Sequence, residues 1–276
     1  MRATDLVETG DGHEALLLAR IPDSPRNALL WLPALGVAAK HYLPFAEALA
    51  ARGIAVFLHE WRGNGSSNQR AGRDCDWGYR ELFADIAASE RAIGTQATGL
   101  PRILGGHSLG GQLACCSLAL APRSASSLWL VASGAPYWRS FPAPTRWWLP
   151  FAYRFLPWLA NRCGVLPGRR VGFGGNEARG VIRDWSRTAL GGRYAAAGVD
   201  FDFEQGLAEV DVEVRAVVMA NDWLAPPGSL RFLLDKMPAT RAAVETLDAI
   251  ASGVRADHFR WLKAPDAVVD ALSPPV

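Results

Sequence analysis

The chain has 276 residues, half of them hydrophobic, and a formal net charge of +2 at neutral pH. That length suits one α/β domain with an insertion and allows a large core, while so small a charge, with no basic run, argues against a nucleic-acid partner. No run of about 18 uncharged apolar residues is present, which excludes a membrane span, and the segment from Met1 lacks the apolar core of a signal peptide.

In chain order, Glu14 to Arg20 reads as an early antiparallel strand paired with residues 4–9. Ala28 to Leu32 is a continuous apolar run ending at Pro33, the pattern of a strand buried on both faces of a parallel sheet. Tyr42 to Arg52 has the spacing of an amphipathic helix that stops at Gly53, and Ile54 to His59 is the next buried strand. Trp77 to Ile93 predicts a helix, with Leu82, Ile86, Ala87 and Ile93 inward. Arg102 to Gly105 predicts a short strand, Gly111 to Leu120 a helix, Ser127 to Ala132 a strand, and Val214 to Ala220 and Ala243 to Leu247 two late strands.

Strand–helix alternation with right-handed crossovers gives an open, mostly parallel, doubly wound α/β sheet. Residues 135–205 interrupt the alternation. They hold Trp138, Trp147, Trp148, Trp158 and Trp185, several prolines and a glycine-rich centre at 172–175. The expected division is a core of residues 1–134 and 206–276, with 135–205 a helical lid over the carboxyl edge of the sheet.

Cys75, Cys115, Cys116 and Cys163 include no C-x-x-C pair and no Cys/His cluster with zinc spacing. Neither a metal nor a cofactor is expected, and reduced thiols suit a cytoplasmic protein.

The chemistry concentrates at Gly106-His107-Ser108-Leu109-Gly110, which fits the G-x-S-x-G nucleophile elbow. The required context is present, with a predicted strand before it and a predicted helix after it. The helix N-terminus brings partial positive charge and free N–H groups to the place where an oxyanion would develop. Chains with this elbow place an acid and then a base after the serine. Only one histidine follows Ser108, namely His258; His13, His41, His59 and His107 all precede it or adjoin it on the wrong side. Asp222, at the end of the strand after the insertion, is the expected acid. Asp200, Asp202 and Asp211 precede that strand, and Asp257 adjoins the base. The oxyanion donors are the main-chain N–H groups of Leu109 and Leu35, the latter in the loop after the first parallel strand. The glycine-rich stretch His59 to Ser67 lacks both a Gly-Lys-Ser/Thr and a dinucleotide fingerprint, so it is expected to be a structural turn beside the site.

These residues resemble the α/β-hydrolase superfamily. Trp61 to Ser67 is similar to its Tyr-Arg-Gly-x-Gly-x-Ser stretch. More closely, Pro33 to Val37, Gly106 to Gln112, Pro167 to Arg170 and Asp184-Trp185 resemble a branch of bacterial predicted serine hydrolases near the serine aminopeptidase S33 and monoacylglycerol lipase group. Glu60 stands where an Asp is usual, and Asp257-His258-Phe259 where Gly-His-Phe is usual. The resemblance implies a metal-independent serine esterase acting on a small-molecule acyl substrate. The same residues are open to acyl transfer, and the fold alone also occurs in non-catalytic binding proteins. Trp138, Trp147 and Trp148 are the expected pocket wall.

Overall fold

The computed structural model describes residues 2–251 and 254–273. Its elements in chain order are β1 (Arg2–Glu8), β2 (Glu14–Arg20), β3 (Asn27–Leu32), α1 (Leu43–Ala50), β4 (Ile54–Leu58), α2 (Tyr79–Gln96), β5 (Arg102–His107), α3 (Leu109–Leu120) and β6 (Ser127–Val131). Then come α4 (Thr145–Cys163), β7 (Leu166–Pro167), α5 (Gly168–Val171), β8 (Asn176–Glu177), α6 (Arg179–Gly191) and α7 (Phe203–Ala208). The chain closes with β9 (Glu213–Met219), α8 (Pro227–Leu234), β10 (Arg241–Leu247), β11 (Ala249–Ala251), β12 (Val254–Arg255) and α9 (Asp266–Leu272).

Eight strands form one sheet in the order β1-β2-β4-β3-β5-β6-β9-β10. The pairs β1/β2 and β2/β4 are antiparallel, and every pair from β4 to β10 is parallel. The continuous apolar runs have the physical cause expected of them. In β3, Ala28, Leu30 and Leu32 face one layer with Leu82, Ile86 of α2 and Leu113 of α3. The alternate residues Leu29 and Trp31 face the other layer, with Phe45 and Leu49 of α1 and Val268 of α9. A strand with helices on both sides has no solvent face, so both registers of its period-2 pattern must be apolar. β10 ends the sheet, and most of its side chains are exposed.

Between β6 and β9 the chain leaves the sheet. Helix α4 packs on α6, and β7 and β8 form a two-residue antiparallel ladder. Helix α7 begins inside the expected insertion, yet it packs on α3, with Phe203 and Leu207 in the main core. Helix α8 begins directly at the Pro226-Pro227 pair. Pro227 takes the first helical position, where its missing N–H costs nothing. Among the described residues, no helix is long and apolar enough to cross a membrane.

Candidate active site

β5 runs straight into α3 through Ser108, whose backbone takes φ 54° and ψ −118°. A side-chain-bearing residue holds such a conformation only where its surroundings enforce it. Here the Ser108 N–H donates to the carbonyl of Val131 at 3.1 Å, and its own carbonyl accepts from the Ser133 hydroxyl at 2.7 Å and the N–H of Gly111 at 3.1 Å. The flanking glycines permit the turn. A Cβ on Gly110 would lie 2.0 Å from the carbonyl oxygen of Leu32, and one on Gly106 would lie 2.3 Å from Gly110. The helix begins at Leu109, two residues before the expected start, because Ser108 itself is the N-cap residue.

Ser108 opens onto a cavity of about 270 Å³ whose lining also includes Leu35, Leu109 and His258. His258 is the only histidine of that lining. Its Nδ1 lies 2.6 Å from Oδ2 of Asp222, whose carboxylate is fully buried. The other carboxylate oxygen accepts from the N–H groups of Leu224 and Ala225 at 2.8 and 3.1 Å. Both oxygens of Asp222 are therefore occupied, which fixes the carboxylate and directs the second ring nitrogen of His258 away from it. Leu109 is the first residue of α3, where a backbone N–H has no acceptor within the helix.

The four earlier histidines do other things. His41 is exposed, and His13 and His59 are buried against Asp85 and Ser89. His107 adjoins Ser108 in sequence but turns the other way, its Nδ1 lying 2.8 Å from the Tyr42 hydroxyl. Burial above all, helped by the neighbouring His258, holds His107 well below the ordinary imidazole range, so it is neutral and accepts from Tyr42. The same hydroxyl accepts from the N–H of Ala34 at 2.8 Å. A single phenol thus ties the Leu35 loop to the strand that carries Ser108, and the His107 ring packs 4.8 Å from that of His258. Sequence reasoning missed Tyr42; it sits inside an amphipathic helix pattern and gives no polar signal.

The stretch from His59 to Ser67 is structural and lines no part of this cavity. The Trp61 indole donates to the carbonyl of Pro33 at 2.7 Å, and Glu60 accepts from the N–H of Ala39 at 3.0 Å. Both contacts brace the Leu35 loop. Arg62 is buried and forked onto Asp85 at 2.6 and 2.8 Å. Burial pushes the Asp85 carboxyl up, but hydrogen bonds from His13 and Arg62 outweigh it and hold it below the usual range.

The wall of the cavity corrects the sequence expectation. Of the three tryptophans expected there, Trp148 lines it, and Trp138 and Trp147 do not. Trp147 points to solvent with the Arg146 guanidinium over its ring, and Trp138 lies in the turn before α4. The spacing along α4 decides this, since adjacent residues stand about 100° apart on a helix. Trp185, Tyr153 and Phe173 supply apolar wall from the same excursion, and Trp223 does so from beside Asp222. No group of three or more metal-ligating side chains occurs among the described residues.

Comparison with known proteins agrees with this architecture. Solved structures similar to the whole chain include a complex of DcsB with its substrate analogue, with a TM-score of 0.68 at 16% identity, covering 99% of this chain and 98% of that one. A thermophilic esterase from Thermogutta terrifontis aligns with a TM-score of 0.66 at 15% identity over 99% and 96% of the two chains. The thioesterase domain from the curacin biosynthetic pathway aligns at 0.62 and 16% identity over 98% of each. Identities this low speak to the fold alone. No curated protein sequence matches the chain. The serine aminopeptidase S33 profile matches residues 23–188, more than half of the sequence. With the eight-stranded, mostly parallel sheet already described, that match makes this chain a hydrolase of α/β fold and a member of the serine aminopeptidase S33 family.

Proposed function

We propose that the chain is a metal-independent serine hydrolase that cleaves an ester, or a related acyl bond, through an acyl-enzyme. The observation that carries this reading is the strained turn at Ser108, open to a cavity shared with a His258 ring held by Asp222 at 2.6 Å. In the proposed reaction the Ser108 hydroxyl attacks the acyl carbonyl while the free ring nitrogen of His258 takes its proton. Asp222 keeps the proton on Nδ1, so the other nitrogen is the base, and it stabilises the imidazolium that forms. The N–H groups of Leu35 and Leu109 hold the oxyanion. His258 then gives its proton to the departing alkoxide, and a water, activated by the same ring, hydrolyses the acyl-enzyme. The part of residues 135–205 that runs from α4 to α6 acts as a lid, with Trp148, Tyr153 and Trp185 against the acyl chain.

The family also contains aminopeptidases by name, and one observation favours the ester over the peptide. The described cavity lining includes no Asp or Glu, so a substrate's free ammonium group would meet no carboxylate there. A panel of p-nitrophenyl esters of rising chain length and aminoacyl naphthylamides tests the choice. Ester turnover with preference for medium or long acyl chains supports the proposal; naphthylamide turnover without ester turnover refutes it.

A further inference from the structure

Helix α4 carries a feature that catalysis at Ser108 does not use. Trp147, Phe151, Phe155 and Trp158 are all largely exposed, Phe151 at 75% and Trp158 at 59%. At 100° per residue these four and Trp148 fall within an arc of about 100°, opposite the buried Leu149, Tyr153 and Ala160. The helix is therefore apolar on two faces, and only one of them meets protein. Scattered exposed apolar side chains need no explanation, but an aromatic ridge along one helix does.

The segment that carries that ridge is one-sided in charge. From Arg91 to Asn176 the sequence has no Asp or Glu, and from Tyr137 to Asn176 it has six arginines: 139, 146, 154, 162, 169 and 170. None of the six forms an ion pair among the described residues. Arg154 and Arg162 emerge on the same exposed side of α4 as the aromatic rings. Trp148 at the edge of the ridge lies 6.4 Å from Trp223, ring centre to ring centre, and both line the cavity onto which Ser108 opens. The ridge and the cavity mouth are one continuous aromatic surface.

We infer that α4 is an interfacial helix that docks the protein on anionic phospholipid bilayers, with the mouth of the Ser108 cavity turned to the lipid. Tryptophan and phenylalanine seat in the headgroup region, and arginines beside them meet lipid phosphates. Each cation near such a surface raises partition by roughly fivefold. A second copy of the chain is the poorer occupant of this face, since packing α4 on α4 would set arginine against arginine and the helix itself carries no carboxylate. The inference stands apart from the catalytic reading, because binding is measured without turnover.

The test is co-sedimentation of the full-length protein with vesicles rich in phosphatidylglycerol and with vesicles of phosphatidylcholine alone, at low and high salt. The expected result is binding to the anionic vesicles that weakens by at least about tenfold on neutral lipid or at high salt. A Phe151→Ser/Trp158→Ser pair should lose about tenfold in partition with an unchanged thermal transition, and so should Arg154→Glu/Arg162→Glu. Failure of the native protein to bind anionic vesicles overturns the inference. So does undiminished binding by the aromatic pair, which would mark attraction to any polyanion. A dimer in light scattering that the aromatic pair abolishes, without vesicle binding, would assign the face to a second copy instead.

Discussion

Helices α3 and α4 are both rich in apolar residues, and they are used in opposite ways. All but one residue of α3 is buried, while of the nineteen residues of α4 only Leu149, Tyr153 and Ala160 are. α3 is built from small residues, Gly110, Gly111, Ala114, Cys115 and Cys116, so it can approach the sheet closely and hold Ser108 in its strained turn. α4 is built from large aromatic residues interrupted by Pro150 and Pro157, and it leaves all of its aromatic residues except Tyr153 exposed. Rigidity at Ser108, the proposed nucleophile, thus comes from a helix buried along almost its whole length. The outer face of α4 meets solvent, so substitutions on that face should leave stability nearly untouched, whereas Leu149 and Tyr153 on its inner face belong to the core.

The largest effect that sharpens this contrast belongs to the locked side. Asp222→Asn should lower ester turnover by about 10⁴-fold while the fold persists, because the amide leaves the wrong nitrogen of His258 protonated. Steady-state kinetics with circular dichroism checks it, and turnover within tenfold of native would remove Asp222 from the reaction. Next, Leu113→Ala in α3 should cost about 2–5 kcal/mol in urea unfolding, since it opens a cavity among fully buried neighbours.

Glu177 is where the two regions meet, and its effect should be intermediate. It is buried, accepts from the N–H of Gly175 at 2.7 Å, and lies against Gly36 of the Leu35 loop. Burial pushes its carboxyl up to about 7. A carboxyl whose folded pKa exceeds its unfolded one stabilises the fold while protonated. That contribution is full below the ordinary carboxylate range and is lost as pH rises towards about 7. Glu177→Gln should flatten this decline and raise the Tm by about 5 °C at pH 8, with little change at pH 5. A Tm gap independent of pH would show that Glu177 is not the titrating group. The smallest effect is expected for Phe151→Ala on α4, within about 0.5 kcal/mol of native stability. A loss matching that of Leu113→Ala would erase the contrast between the helices.

Much of this was legible before any coordinates. The parallel strands announce themselves because two-sided burial demands unbroken apolar runs such as Ala28 to Leu32, and the elbow because only glycine fits beside Ser108. Asp222 and His258 follow from chain order, and the structure sets them 2.6 Å apart. The cavity wall was not legible. A count of tryptophans carries no rotation angle, so Trp147 and Trp148 look equal in sequence although only the second reaches the cavity. Tyr42 and Glu177 escaped notice because their roles depend on partners far along the chain: His107 for the first, and the Gly36 loop for the second. Long-range hydrogen bonds leave no periodic mark.

The central claim is that Ser108 is the nucleophile, activated by His258. Intact-mass analysis after treatment with a fluorophosphonate tests it most directly. The native protein should gain one phosphonyl adduct, located to Ser108 by peptide mapping; Ser108→Ala should gain none, and His258→Ala should react slower by orders of magnitude. Full labelling of Ser108→Ala, or an adduct mapped to another residue, would contradict the account.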